Sequence, residues 1–182
     1  MQYEKSVLLK NNKECCIRNA VGDDAQEVLD IFLLTHEQTD FLASYRDEAT
    51  FDTAFERQFL ADRERADRDV YLCAVVDGHI VGTAGVGSMG SNKIRHRAEL
   101  GVAVDKDFCG IGNRPRVDRS LHRLCKKSRL FSIGIGGCKR KTAMQLLCIK
   151  VWDSWKFGRN PRGFCSRYQG WQELISMRLE LD

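Results

Sequence analysis

The sequence predicts an α/β domain, and three observations carry that expectation. Glu99 to Gly112 (ELGVAVDKDFCGIG) opens with Leu100, Gly101, Val102, Ala103 and Val104, an apolar, β-branched run that reads as a buried strand. Asp105-Lys106-Asp107 stops the run, and Cys109-Gly110-Ile111-Gly112 follows as a glycine-rich turn. A strand, a glycine turn and then a helix is the arrangement that gathers backbone N–H groups around a phosphate, although glycines also serve ordinary tight turns. Upstream, two more β-rich runs, 70–76 and 79–86, are joined by Asp77-Gly78, the strongest short-range hairpin signal. Two segments with apolar residues at helical spacing precede them.

In chain order, 15–20 (CCIRNA) is a short strand. Asp23-Asp24 then caps a helix with Ala25, Val28, Leu29, Phe32 and Leu33 along one face. A second helix runs from about Asp47 to Asp67, with Phe51, Ala54, Phe55, Phe59 and Leu60 as a stripe that belongs to the core. After the hairpin, 87–97 is a polar loop, and His79 and His96 read as solvated residues. Beyond Asn113 the pattern weakens. Pro115 stands where a helix should open, a position that tolerates proline. FSIGIGG (131–137) carries too many glycines for a good central strand. Residues 158–171 read as a loop with Pro161 and three glycines, and Glu173 to Leu181 alternates as a final strand. Arg159, Arg162, Arg167 and Tyr168 in that loop offer contacts to an acidic or polar substrate, or only a solvated surface.

The 182 residues suit one domain, and 43% hydrophobic with 30% charged residues is a soluble globular composition. No run approaches the ~18 apolar residues of a membrane helix. Eight cysteines without a C-x-x-C pair read as reduced thiols, and no Cys/His spacing fits a metal, so the expected address is cytoplasmic. The net charge of +4 hides an asymmetry: 113–157 carries a net +10 and the remainder a net −6. A nucleic-acid patch, a domain boundary or an error in the sequence would each produce that jump.

The strand ending hydrophobic-x-Val-x-Asp, followed by Gly-x-Gly, resembles motif A of the GNAT N-acetyltransferases, and so does the opening IRNAVGDDAQEVLDIF. In that family the turn follows [Gln/Arg]-x-x-Gly-x-[Gly/Ala]. Gly112 matches its central glycine, whereas Cys109 and Arg114 depart from it. The resemblance implies a single domain with the GNAT acyl-CoA N-acyltransferase fold, a mixed central sheet flanked by helices. It implies acetyl-CoA as co-substrate, no metal, and transfer of an acetyl group to a small-molecule or peptide amine, with a homodimer compatible and no membrane partner. Leu100, Val102, Ala103 and Val104 would meet the pantetheine and thioester, and Cys109, Gly110, Ile111 and Gly112 the pyrophosphate. Glu99 would be the catalytic base, unless it is held in a salt bridge by Arg95 or Arg97. His36, Phe41, Tyr45 and Tyr168 would bind the acceptor, with Glu37 and Asp40 nearby. Leu147 stands where the family places a thiolate-protonating tyrosine. A nucleic-acid-binding protein using 113–157 and a non-catalytic acetyltransferase-like chain are the alternatives.

The genetic code offers a further reading of 113–157. Back-translated and read one base later, Asn113 to Lys141 can encode IGRALTEACIDCAKKAGYSQLELEVVSE, which has a helical period, a Gly-Tyr cap and an alternating strand. Ala143-Met144-Gln145-Leu146 then resembles the family's Asn-x-x-Ala-x-x-Leu-Tyr helix in the given frame, and 149–156 read from each codon's third base can give KSLGFVE. The segment thus looks like a frame-shifted translation of a GNAT coding sequence.

Overall fold

A computed structural model describes residues 2–40, 42–109, 132–139 and 154–180. In chain order the main elements are β1 (Glu4–Leu8), β2 (Glu14–Asn19), α1 (Ala25–Gln38), α2 (Thr53–Arg65), β3 (Val70–Val76), β4 (His79–Ser88), β5 (Arg97–Val104), β6 (Ser132–Lys139), β7 (Trp155–Ser166) and β8 (Gly170–Glu180). All eight strands form one sheet in the order β1-β2-β3-β4-β5-β6-β8-β7. Every neighbouring pair is antiparallel except β5 and β6, so the sheet is mixed, as expected.

The hairpin forms for the reason its sequence states. Asp77 and Gly78 both take positive φ, 51° and 84°, the pair of left-handed residues that lets a two-residue turn follow the twist of its strands. Strand alternation then sorts side chains to two faces. On one face Ala98, Leu100, Val102 and Val104 of β5 join Ile17, Leu72, Ala84, Val86, Met177 and Leu179 in the larger core cluster. On the other, Cys73 and Ile80 pack with Ala25, Val28 and Ile31 of α1 and Leu60 of α2. The helices therefore cover the second face, but the expected core stripe of α2 is core only in part: Leu60 is buried and half-buried Phe59 meets Tyr71 edge-on at 5.4 Å, whereas Ala54 and Phe55 are exposed. Cys15, Cys16, Cys73, Cys109 and Cys165 are free thiols, and burial pushes that of Cys73 up to about 12. No helix among the described residues is long and apolar enough to cross a membrane.

Several expectations need correction. Asp24 does not cap α1 with its side chain. Its carboxylate instead accepts from Arg18 Nη1 and Nη2 at 2.6 and 2.8 Å and from the Val21 N–H at 2.8 Å, pinning the end of β2 to the start of α1. The second helix begins at Thr53 rather than near Asp47, because Asp52 supplies the cap by accepting from the Phe55 N–H at 2.9 Å. β1 was not visible in the sequence; it is an edge strand with mostly exposed side chains, held by pairing with β2. The glycine-rich 131–137 segment does supply a central strand, β6, at the positions where the shifted reading writes LELEVV. Its register jumps from Ile135↔Met177 to Cys138↔Ile175, so Gly136 and Gly137 lie opposite Ser176 alone and form a bulge. Paired neighbours on both sides replace what propensity lacks. The supposed loop 158–171 is mostly β7, the far edge of the sheet, with only a tight turn at 167–169. Pro161 sits in the interval between Asn160↔Leu174 and Phe164↔Gln172, an edge-strand irregularity that needs no N–H from it.

The Arg18–Asp24 pair makes a testable contribution to stability. The hydrogen bond from Arg18, with that from Val21, holds the Asp24 carboxyl below its ordinary value of 3.8. A depressed folded value means the stabilisation is fully present above the unfolded value and is lost as pH falls through the folded one. Asp24→Asn should cost about 1–3 kcal/mol at neutral pH, the usual range for hydrogen bonds to charged groups. That gap should shrink as the pH drops below about 4. Urea unfolding of both proteins at neutral and acid pH checks this, and a gap independent of pH would contradict it.

Candidate active site

The site begins where two strands part. β5 and β6 pair from Arg97↔Ser132 to Leu100↔Ile135, and the Gly136-Gly137 bulge comes directly afterwards. On the other side β5 stays paired with β4 as far as Gly82↔Val104. The Asp105 N–H donates to the Val81 carbonyl at 3.0 Å, and the Met89 N–H to that of Arg97 at 3.0 Å. Odd-numbered residues of β5 therefore turn their backbone groups toward β4. By the two-residue period, Val102 and Val104 turn theirs toward the side that β6 has left. Their N–H groups have no strand partner among the described residues, and the Val104 carbonyl accepts only a long contact from Cys109 Sγ at 3.8 Å. A row of backbone donors beside a strand end suits an extended amide-bearing chain.

Beside this edge lies an open cleft of about 690 Å³. Its wall is the last turn of α1 and the segment after it, faced by the turn between β7 and β8. Gln38 joins the cleft to the strand end: its Nε2 donates to Asp105 Oδ1 and its Oε1 accepts from the Lys106 N–H, both at 2.8 Å. Asp40 accepts from the buried Ser166 hydroxyl, whose oxygen in turn accepts the Tyr168 and Gln169 N–H groups at 3.0 and 2.9 Å. Tyr45 accepts the Arg167 N–H at its hydroxyl, 2.6 Å away, and meets Tyr168 edge-on at 6.4 Å. The hydrogen bond to Asp47 holds the Arg167 guanidinium above its ordinary value and the Asp47 carboxyl below its own. His36 Nδ1 lies 2.7 Å from the Phe32 carbonyl, which can only accept, so the neutral ring keeps Nε2 as its lone-pair nitrogen.

The residues expected at the acceptor divide accordingly. His36, Tyr45 and Tyr168 line one cleft although they are far apart in sequence; Phe41 lies outside the described residues. Of the cofactor set, Leu100, Val102 and Val104 bury their side chains and Ala103 is half-buried, leaving only backbone to offer. Cys109 is exposed, and Gly110, Ile111, Gly112 and Leu147 lie outside the described residues. Glu99 is exposed on the helix-flanked face of β5, between Gly87 and Gly134 in register, and does not line the cleft. Neither Arg95 nor Arg97 forms an ion pair with it among the described residues. Among the described residues, a Cβ at Gly101, the next residue on that face, would meet nothing within 4 Å. Two of the loop arginines are engaged by carboxylates, Arg159 by Glu173 and Arg167 by Asp47, while Arg162 lies 5.8 Å over the Trp171 ring. Gln38 and Ser166 escaped the sequence reading, because partners 67 and 126 residues away leave no local signal.

No protein-family model matches the chain, and no curated protein resembles it in sequence. Solved structures do resemble it in shape. A GNAT-family acetyltransferase from Streptococcus pneumoniae superposes with a TM-score of 0.86 at 17% identity, over 91% of this chain and 99% of that one. A ribosomal-protein-alanine N-acetyltransferase from Brucella melitensis gives 0.76 at 23% identity, over 91% and 99%. The yncA protein of Salmonella typhimurium, whose structure was determined with its cofactor acetyl-CoA, gives 0.78 at 19% identity, over 92% and 94%. At these identities the likeness speaks for architecture, and on it the chain has the GNAT acyl-CoA N-acyltransferase fold.

Proposed function

We propose that the chain is an N-acetyltransferase that moves the acetyl group of acetyl-CoA to the amine of a small molecule or peptide. The observation that carries this reading is the Val102–Val104 edge, without a strand partner among the described residues, in a GNAT fold whose open cleft Gln38 ties to the end of β5. Acetyl-CoA, when bound, supplies the acyl group on a thiol leaving group. The Val102 and Val104 N–H groups would align the pantetheine along β5, so that its thioester lies next to the cleft. The amine nitrogen forms a C–N bond with the acetyl carbon, the C–S bond breaks with its electron pair going to sulfur, and the amine loses a proton. Glu99 takes that proton, directly or through water.

Glu99→Gln tests the base. Its kcat should fall by about a hundredfold or more, the range for loss of a general base, with little change in KM for acetyl-CoA. An unchanged pH–rate profile would remove Glu99 from the mechanism.

The competing reading, a nucleic-acid-binding protein using the +10 segment, is separated by salt. Phosphate-backbone binding loses about 10³-fold or more between roughly 50 and 200 mM salt. Acetyl-CoA affinity should change far less over that range, and an oligonucleotide held as tightly as acetyl-CoA with the steep slope would favour the competitor.

We also propose that 113–157 derives from a shifted reading frame. A protein carrying the restored segment should bind acetyl-CoA more tightly in calorimetric titration and melt at a higher temperature. Equal affinity and melting temperature would make the literal segment a genuine part of the site.

A further inference from the structure

The charges of the cleft decide what kind of amine it admits. Two guanidiniums lie in it, and both are committed. Arg46 Nη1 is 2.7 Å from Glu37 Oε1. Arg167 Nη1 donates to both Asp47 oxygens at 2.9 and 2.7 Å, its Nη2 is 3.9 Å from Glu48, and its guanidinium carbon lies 4.0 Å from the centre of the Tyr45 ring. A third cleft carboxylate, Asp40, is half-buried and accepts from the Ser166 hydroxyl on Oδ2. Among the described residues no cation faces it. Among the described residues the pairs cancel, and Asp40 leaves them with a net negative charge in the cleft. The last turn of α1, contributing His36 to Gln38, adds the negative end of the helix dipole. The exposed Tyr168 ring offers a π face that favours a cation over an anion, while Arg167 already lies over Tyr45.

Resting on the acetyltransferase reading, we propose that the acceptor is a dicationic amine: one ammonium is held by Asp40 Oδ1 beside the tyrosines while a second amino group reaches the open edge of β5. Gln38 makes the two places contiguous, since it lines the cleft and is hydrogen-bonded to Asp105 and Lys106, directly after Val104. An acceptor bearing a carboxylate would find no uncommitted guanidinium and would meet Asp40.

The test compares 1,4-diaminobutane with 4-aminobutanoate, acceptors of similar length whose second charge is opposite, by the rate of CoA release. The diamine should have a kcat/KM about tenfold higher or more, as expected for one hydrogen bond between charged groups. Asp40→Asn should abolish that preference and Asp40→Glu should retain it, with KM for acetyl-CoA unchanged in both. Asn keeps an oxygen for Ser166, and melting curves verify that the variant is folded. A wild-type preference for 4-aminobutanoate, no preference, or a diamine preference that survives Asp40→Asn overturns the proposal. Calorimetric titration with acetyl-CoA alone separates the parent reading. A chain that binds acetyl-CoA without discriminating the two amines overturns only the acceptor class. If acetyl-CoA binds neither this chain nor the chain with the restored 113–157 segment, the acetyltransferase reading fails; direct titration of both amines then decides the cleft's preference, with diamine binding lost in Asp40→Asn supporting it and equal binding overturning it.

Discussion

The parting of β5 and β6 after Leu100 and Ile135 is the constraint on which the rest of the structure depends. A backbone N–H left without a partner costs free energy unless water or a ligand satisfies it, so central strands rarely separate within a sheet. Here the separation has a local cause: Gly136 and Gly137 share one partner, Ser176, and turn β6 toward β8 and away from β5. The unbroken β4 ladder keeps β5 straight while this happens. The buried side chains of Leu100, Val102 and Val104 anchor the strand to the larger core, so its free edge is rigid rather than frayed.

The second half of the site is a matter of long-range ties. α1 ends against β5 through Gln38 and against the β7–β8 turn through Asp40, and Tyr45 takes the first N–H of that turn. These contacts place three segments remote in sequence around one cleft. Most of the ion pairs along the rim are exposed, and exposed pairs contribute little to stability. Their consequence lies elsewhere: by neutralising Arg46 and Arg167 they set the sign of the cleft's remaining charge.

The sequence by itself determined the elements that local chemistry specifies. Asp77-Gly78 dictated a two-residue turn because both of its residues tolerate positive φ. The apolar run 100–104 dictated a strand, whose side chains the structure buries on one face, and the apolar spacing of α1 and α2 dictated two helices against the sheet. The fold implied by these elements together with motif A is the one observed. What local chemistry does not specify was not legible. β1 has no apolar face to announce it, β6 is richer in glycine than propensity allows, and β7 contains a proline; each exists because a neighbouring strand supplies the hydrogen bonds. Only the tertiary structure decided which backbone groups of β5 are left open, and which charges of the cleft are cancelled. Read in isolation, the loop arginines offered contacts to an acidic ligand or only a solvated surface; in the fold Arg159 and Arg167 are paired with Glu173 and Asp47. The physical reason is the same throughout: propensity and periodicity are fixed within a few residues, whereas hydrogen-bond partners and ion pairs are assigned by segments that meet only after the chain has folded.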